Sequence, residues 1–336
     1  MGSGLLSAVA VAIAAAVAVL HTLENYVYTR HLEKVPDIGL AQTASLQTEN
    51  AFYYSYYSEV VEADSVAEAL EHMVWDQRSE YPDVLNALRR FNIYQEVVLG
   101  LEFRVLRSLG LAFLDPWSFF RYNILVLNGI GHGALALLSS EISGNPLAGI
   151  ACFIVSFLNR FQISRLGNYS SSNLRELWGI PILWVQTLCL WRILVSPAHR
   201  TSRSLWLAFG VLTFAFIVVW QFSPFLLLLQ ATALYFVHLV CGYHHLRPAV
   251  VGAVHAYLVA MALAIAVHFG SPYLLTSPFL FQLVALKAST SLFFCSRAAG
   301  PRPSGSSCAR TCSGWAVRRA GGGGRGPRGR GARAAG

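Results

Sequence analysis

The chain has 336 residues, of which 55% are hydrophobic and only 12% are charged. Soluble proteins carry about 25% charged residues, so this composition excludes a protein whose surface is covered mainly by water. The formal net charge is +8, yet 15 of the 17 Asp and Glu residues precede residue 119. The sequence therefore predicts an acidic segment beside a lipid-embedded one.

The chain begins with a predicted transmembrane helix over residues 1–20. Residues 5–20 are a continuous run of uncharged, almost entirely apolar side chains, and a helix that crosses a bilayer needs about 20 largely apolar residues. A cleaved signal peptide is the weaker alternative, because no basic residue precedes the run.

Residues 21–118 are polar and are predicted to form a luminal amphipathic helical loop. Within this segment, Ser65 and Glu68 make the Ser-x-x-Glu pattern that caps the start of a helix. Residues 92–114 combine apolar residues at helical spacing with several Glu and Arg residues. This mixture is too charged to cross a membrane and is typical of a helix that lies on the bilayer or on a helix bundle.

Residues 119–295 are predicted to form a transmembrane helix bundle of about seven further spans. The predicted spans are 119–138, 147–160, 177–195, 205–220, 224–241, 250–268 and 274–294. Residues 296–336 differ in character, with nine Arg, no acids and mostly Gly, Ala, Pro and Ser. Such a tail is predicted to be disordered. It resembles a reading-frame artefact or an alternative exon, and a basic patch for nucleic acid or anionic lipid is the other interpretation.

The order of spans predicts which loops share a compartment. Counted from a cytosolic N-terminus, residues 21–118 and 161–176 lie on the far side of the membrane. Cytosolic loops carry an excess of Lys and Arg, and Arg200 and Arg203 fit that rule. Arg165 and Arg175 fall on the far side and break it. They are either interfacial side chains that snorkel or ligands for an anion, since Arg matches phosphate geometry.

The predicted topology brings together the parts that a lipid-phosphate sugar transferase needs. The acidic segment, the two far-side arginines and Gln221 share one face of the membrane. A carboxylate there can act as a base or stabilise cationic charge, and an arginine can stabilise a leaving phosphate. A transporter would more often bury its ionisable residues near the middle of the membrane.

Four segments carry a resemblance to a known family. They are Thr48-Glu49 ahead of Tyr53-Tyr54-Ser55-Tyr56-Tyr57, Asn92-Ile93-Tyr94-Gln95-Glu96, Ser164-Arg165 with Leu174-Arg175-Glu176, and Trp220-Gln221-Phe222. In this order the segments resemble the Dumpy-19-like protein C-mannosyltransferases, over residues 5 to about 294, with the like-3 proteins as the candidate branch. Members of that family continue into more spans and a C-terminal luminal domain. This chain has an Arg/Gly-rich tail instead, so we expect a truncated chain with an aberrant tail.

The resemblance implies a fold and a reaction. The fold is an all-α polytopic membrane protein, a lipid-linked-sugar glycosyltransferase (GT-C-like) helix bundle with a large luminal helical loop. The reaction transfers mannose from dolichyl-phosphate-mannose to carbon 2 of tryptophan in Trp-x-x-Trp acceptors such as thrombospondin-type repeats. The expected location is the endoplasmic reticulum membrane, with the nuclear envelope as an alternative. We expect no metal, no cofactor apart from the donor lipid, and no nucleic-acid partner.

The resemblance also implies roles for individual residues. Glu49 is expected to be catalytic, Arg165 to bind the donor phosphate, and Arg175 to be the second choice for that phosphate. Gln221, Tyr53 and Tyr54 are expected to line the donor or acceptor cavity. The simpler alternatives are a solvated acid for Glu49, snorkelling arginines and tyrosines that pack at the membrane interface.

Two other functions remain open from the sequence. The first is a catalytically inactive truncated isoform or a membrane scaffold of the same family. The second is a transporter or channel, which would require inverted repeats or paired broken helices, and the sequence has no clear repeat.

Overall fold

A computed structural model describes residues 3–32, 49–159, 173–240 and 244–299. The helices are α1 (Ser3–Leu32), α2 (Glu49–Glu62), α3 (Val66–Val74), α4 (Ala87–Arg90), α5 (Tyr94–Ser108), α6 (Pro116–Ser143), α7 (Leu147–Asn159), α8 (Arg175–Val195), α9 (Pro197–Arg200), α10 (Arg203–Val219), α11 (Ser223–Tyr235), α12 (Arg247–Val267), α13 (Pro272–Leu275) and α14 (Pro278–Ala299). A π-helical turn continues α11, and a short 3₁₀ turn precedes α12. The chain divides into residues 1–292 and 293–336, and the packing below is that of the first unit.

The helices confirm the predicted all-α polytopic membrane fold. Within the described residues, four segments have the length and apolar composition to cross a membrane, namely Gly4–Val27, Pro116–Ser143, Arg175–Val195 and Arg247–Val267. Three shorter apolar helices are Leu147–Leu158, Arg203–Val219 and Ser223–His238. The first helix continues beyond residue 20 to Leu32, and within this part Thr22 and Tyr26 contact Leu125 and Tyr122 of α6. The predicted tail beyond residue 299 lies outside the described residues.

The bundle is a series of neighbouring helices with apolar outer faces. Helix α6 packs between α1 and α8, α8 packs on α10, and α10 packs on α12. Large apolar side chains such as Leu207 and Val259 remain exposed on the outside of the bundle. An exposed apolar surface of this kind is suited to lipid rather than water.

A polar network joins four helices inside the bundle. The Gln186 side chain of α8 donates to Gln230 Oε1 of α11 at 3.0 Å and to Thr213 Oγ1 of α10 at 3.2 Å. The Tyr257 hydroxyl of α12 donates to the same Gln230 oxygen at 2.6 Å. Because lipid offers no hydrogen bonds, such contacts between helices stabilise one arrangement of a membrane bundle.

Glycines allow α1 and α6 to approach closely. A Cβ atom on Gly129 would overlap Thr22 Oγ1 and would lie 2.5 Å from the Ala18 carbonyl oxygen. A Cβ atom on Gly133 would lie 2.8 Å from the Ala14 carbonyl oxygen. The Gly-x-x-x-Gly spacing and the small residues of α1 form the close interface that is common between membrane helices.

Substituting Gly129 by alanine is expected to destabilise the bundle by about 1–3 kcal/mol, because the new methyl group would push the backbones of α1 and α6 apart. Thermal unfolding of the purified protein in detergent measures this change. Gly210→Ala on α10 is the matched control, since no described atom lies within 4 Å of its Cβ position. Equal stability of the two variants would contradict the close α1–α6 packing.

The acidic segment folds into its own helical layer. Ser65 accepts a hydrogen bond from the Glu68 amide at 3.1 Å and so caps α3, as its sequence pattern predicts. Helix α5 packs on α2 and buries one face, which confirms the predicted amphipathic helix. The Asp76 carboxylate accepts hydrogen bonds from Tyr56 and Ser79, and these bonds hold the loop after α3 against α2.

The bundle has two chemically different ends. At one end, Arg192 of α8 donates to Glu141 of α6 at 2.7 Å, and Arg200 donates to the carbonyl oxygen of Leu194. We call this the Arg192 end. At the other end α8 begins at Arg175, while α10 and α12 finish. We call this the Arg175 end, and the acidic helical layer contacts it.

Candidate functional site

Three helices begin close together at the Arg175 end. Helix α2 begins at Glu49, α5 begins at Tyr94, and α8 begins at Arg175. The Tyr53 side chain joins the first and third of these helices. Its hydroxyl donates to Glu49 Oε2 at 2.8 Å, and the Arg175 Cζ atom lies 4.9 Å from the centre of its ring. We call Glu49, Tyr53, Glu96, Arg175 and Gln221 the Glu49 cluster.

Glu49 is held in place but remains accessible. It lies in the first turn of α2, and its side chain is exposed. Tyr53 follows it by four residues, which is the spacing that places two side chains on one face of a helix. Burial raises the pKa of the Tyr53 hydroxyl well above its usual range. Tyr53 therefore stays a neutral hydrogen-bond donor to the Glu49 carboxylate.

Arg175 occupies an unusual position for a cation. The positive end of a helix dipole disfavours arginine in the first turn, so neighbouring groups must hold it there. The Tyr53 ring supplies a cation–π contact, and Gln221 Oε1 accepts a hydrogen bond from Arg175 Nη1 at 3.3 Å. Among the described residues, the buried Nε atom of Arg175 has no hydrogen-bond partner.

Gln221 reaches the cluster because its neighbour is anchored on α8. It lies in the turn between α10 and α11. A Cβ atom on Gly179 would lie 2.9 Å from the Trp220 ring, so only glycine lets this tryptophan rest on the helix. The Trp-Gln-Phe segment is thereby fixed beside the start of α8.

Glu96 is a member of the cluster to which the sequence analysis gave no role. It lies in the first turn of α5 and is 1% exposed. Burial raises its pKa to about 8, and three smaller causes oppose that shift: a hydrogen bond from its own backbone amide, the positive charge of Arg175 and a hydrogen bond from Gln95. Its Oε2 atom has no hydrogen-bond partner among the described residues. The signal that could have identified it is its place in the Asn92–Glu96 segment, one of the four that carry the family resemblance.

Two asparagines fix the helical layer to the bundle. Asn50 Oδ1 accepts a hydrogen bond from the Asn173 amide at 2.9 Å, just before α8. Asn92 Nδ2 donates to the Val218 carbonyl oxygen at 2.8 Å, near the end of α10. These contacts connect the starts of α2 and α5 to the same end of the bundle, and they explain why the cluster forms.

Three further residues, Tyr54, Tyr53 and Arg165, were also predicted for the site. Tyr54 does not join the cluster, because its ring packs against Tyr57 and Phe120. Tyr53 is completely buried and lies under Arg175, so it positions its neighbours and leaves no open face for stacking on a ligand. Arg165 lies outside the described residues, and its predicted role stays a prediction.

A cavity of about 790 Å³ also opens between α2, α3 and the loop that follows α3. It is lined by Glu59, Glu68, Glu71, His72, Trp75, Asp76, Gln77 and Arg78. Two of these side chains already contact Glu59, since His72 Nδ1 lies 3.0 Å from Glu59 Oε1 and Arg78 forms an ion pair with it. The cavity is thus a separate, acidic feature of the helical layer.

The fold and the cluster together define a class of protein, namely a polytopic helical membrane protein with a carboxylate and an arginine at one end of its bundle. The sequence profile of the Dpy19 family, described as "Q-cell neuroblast polarisation", matches residues 10–300. Because this match covers most of the chain, the protein belongs to the Dpy19 family.

Curated relatives carry related names. The chain is 29% identical over 296 residues to Protein C-mannosyl-transferase DPY19L1 of Mus musculus, which covers 80% of this chain and 38% of the relative. It is 28% identical over 264 residues to Probable C-mannosyltransferase DPY19L2 of Homo sapiens, with 69% and 33% covered. It is 20% identical over 291 residues to C-mannosyltransferase dpy-19 of Caenorhabditis elegans, with 78% and 41% covered. The chain thus spans between 33% and 41% of the length of these relatives.

Proposed function

We propose that this protein acts in C-mannosylation and that the Glu49 cluster is its reaction centre. The proposed reaction transfers mannose from dolichyl-phosphate-mannose to carbon 2 of tryptophan in Trp-x-x-Trp acceptors such as thrombospondin-type repeats. The names of the relatives support the mannosyl-transfer class. The observation that carries the proposal is that Glu49 and Arg175 contact the same tyrosine.

The electrostatics of the Arg175 end suit an anionic donor. The starts of α2, α5 and α8 each contribute partial positive charge from unpaired backbone amides. The N-caps of α5 and α8 have no side-chain cap hydrogen bond, although the Glu96 carboxyl accepts a hydrogen bond from its own backbone amide. Together with the Arg175 guanidinium, these helix ends favour a phosphate group at this position.

The proposed reaction uses the two charged groups in different ways. The bond between mannose carbon 1 and the phosphate oxygen breaks, and the phosphate leaves with the electron pair. Indole carbon 2 attacks the sugar carbon and forms the new carbon–carbon bond, which makes the ring cationic. The Glu49 carboxylate stabilises that cation and accepts the proton from carbon 2. Arg175 stabilises the negative charge on the departing phosphate.

The distribution of charge supports a luminal position for this centre. Arg192 and Arg200 lie at the opposite end of the bundle, and cytosolic ends of membrane proteins are enriched in Arg and Lys. The acidic helical layer and the Glu49 cluster then face the lumen. We therefore propose the endoplasmic reticulum membrane as the site of action, where lipid-linked mannose and unfolded secretory acceptors meet.

Mass spectrometry of a secreted thrombospondin-repeat reporter tests the proposal. The reporter is made in cells that lack their own C-mannosyltransferases and express the full chain. We expect one hexose to be added to a tryptophan, and fragmentation locates it on the indole rather than on an oxygen. If the chain is folded and in the membrane but the reporter stays unmodified, the non-catalytic scaffold alternative replaces the proposal.

A further inference from the structure

A second carboxyl group, that of Glu96, lies at the start of α5, and the positive charge of Arg175 at the start of α8 acts on it. Glu96 projects from the first turn of α5, is 1% exposed, and has an Oε2 atom without a hydrogen-bond partner among the described residues. Arg175 likewise has a buried Nε atom without such a partner. Both side chains also influence the hydroxyl of the same Tyr53 electrostatically. Unsatisfied buried polar atoms are rare in proteins and often mark a functional position.

The two side chains do not form an ion pair, although they are close enough to interact electrostatically. Arg175 instead uses its Nη1 atom on Gln221 and its flat face on Tyr53. A buried carboxyl without a full complement of hydrogen bonds favours its neutral form, because ionisation would place an unsolvated charge in the interior. A neutral Glu96 leaves the positive charge of Arg175 available for another anion.

The geometry points to Glu96 as a positioning residue that controls how strongly Arg175 binds an anionic phosphodiester. In its neutral form Glu96 leaves the guanidinium free, and in its ionised form it competes with the phosphodiester for the same positive charge. This inference rests on the proposed function, because the phosphodiester is that of the lipid-linked sugar donor.

The competition has a definite sign. Anion binding at Arg175 and ionisation of Glu96 oppose each other, so by reciprocity each weakens the other. Because the pKa of Glu96 is about 8, donor affinity is expected to be constant below that pH. Above it, the affinity falls up to about tenfold per pH unit, as the protonated fraction does. The donor does not add to this effect, since a phosphodiester carries one negative charge throughout this range.

Two charged groups and two tyrosines belong to the surroundings of Glu96. Arg175 acts on it from α8, and Glu49 of α2 accepts a hydrogen bond from Tyr53. Tyr53 faces it from α2, and burial raises the pKa of this phenol far above 8. Tyr94 precedes it on α5, and burial raises its pKa to about 12. His268 packs on the Tyr94 ring. A contribution of His268 to the pH dependence of donor binding would remain in a variant in which Glu96 alone is replaced.

The test measures binding of dolichyl-phosphate-mannose to the full chain in lipid nanodiscs at pH 7 and pH 9. Wild-type affinity is expected to fall about tenfold between these values, as a carboxyl with a pKa of about 8 requires. Glu96→Gln removes the ionisable group but keeps the shape of the side chain. The donor affinity of this variant is therefore expected to differ by less than about twofold between pH 7 and pH 9. Glu96→Leu serves as a second neutral variant if the amide does not fold, and uncharged dolichol controls for binding through the lipid chain.

Glu102→Gln is the matched control, because it makes the same chemical change at an exposed position of the same helix. It is expected to keep the wild-type pH profile. If the donor binds but wild type and both Glu96 variants share one pH profile, the inference is overturned and the proposed function is unaffected. If the donor does not bind the folded wild-type chain at either pH, both are overturned.

Discussion

Replacing Glu49 by glutamine is expected to lower the rate of mannose transfer by a factor of about 10²–10⁴, the usual contribution of a positioned acid or base. The amide oxygen of glutamine can still accept the hydrogen bond that Tyr53 donates to Glu49 at 2.8 Å. The start of α2 should therefore keep its structure. The amide cannot take up the indole proton or stabilise the cationic ring, so the chemical step alone is lost.

The measurement is the initial rate of mannose transfer to a Trp-x-x-Trp peptide in microsomes supplied with dolichyl-phosphate-mannose. Glu62→Gln provides a matched control, because Glu62 is exposed at the other end of the same helix. Its rate should stay within about twofold of wild type, as for most surface substitutions. A Glu49→Gln enzyme that transfers mannose as fast as Glu62→Gln would remove Glu49 from the mechanism.

Tyr53 offers a finer test of the same arrangement. Tyr53→Phe keeps the ring on which Arg175 lies but removes the hydroxyl that holds Glu49. A hydrogen bond to a charged group contributes about 1.5–3 kcal/mol. We therefore expect transfer to fall less than with Glu49→Gln, with donor binding unchanged. Both quantities come from the same microsomal assay at varied donor concentration.

Composition and periodicity were sufficient to predict the fold class. The scarcity of charge required a lipid environment, and the apolar runs gave the helices that the structure contains. The Ser65 cap followed directly from local sequence, because a cap depends on residues three positions apart. The bounds were harder, as α1 illustrates by continuing to Leu32. Hydropathy marks where lipid ends, whereas a helix ends where its backbone hydrogen bonds do.

The cluster could be predicted only in part. Glu49, Arg175 and Gln221 were identified through family segments, and their meeting depends on contacts between distant parts of the chain. Adjacent helical residues point about 100° apart, so the sequence could not decide whether Tyr53 or Tyr54 faces the site. The structure assigns that position to Tyr53 and packs Tyr54 against Phe120.

Glu96 illustrates why burial is difficult to infer from one sequence. It is one of 15 acids in the first 118 residues, and nothing local distinguishes it from solvated neighbours. It is buried in α5, a helix that packs on α2 and also contacts α10, which lies far along the chain. Only the packing of α5 between α2 and the bundle buries this carboxyl group and so raises its pKa.

Replacing Arg175 by alanine is expected to reduce kcat/KM for mannose transfer by about 10²–10³-fold, as removal of one charge-stabilising donor does in other enzymes. The Arg175 guanidinium is the cation of the Glu49 cluster, and it contacts Tyr53 and Gln221. Arg175→Lys keeps the charge but loses the planar fork and the ring contact, so we expect it to restore only part of the rate. Rates at varied donor concentration measure both variants.

Arg203→Ala is the control for general loss of positive charge. Arg203 is exposed at the start of α10, at the Arg192 end of the bundle and away from the cluster. Its rate should match wild type. The lysine variant separates misfolding from lost chemistry, since a folded but inactive alanine protein with partial lysine rescue requires a positive charge at this position. Wild-type kinetics in folded Arg175→Ala would instead transfer the phosphate-binding role to another cation, with Arg165 the first to test.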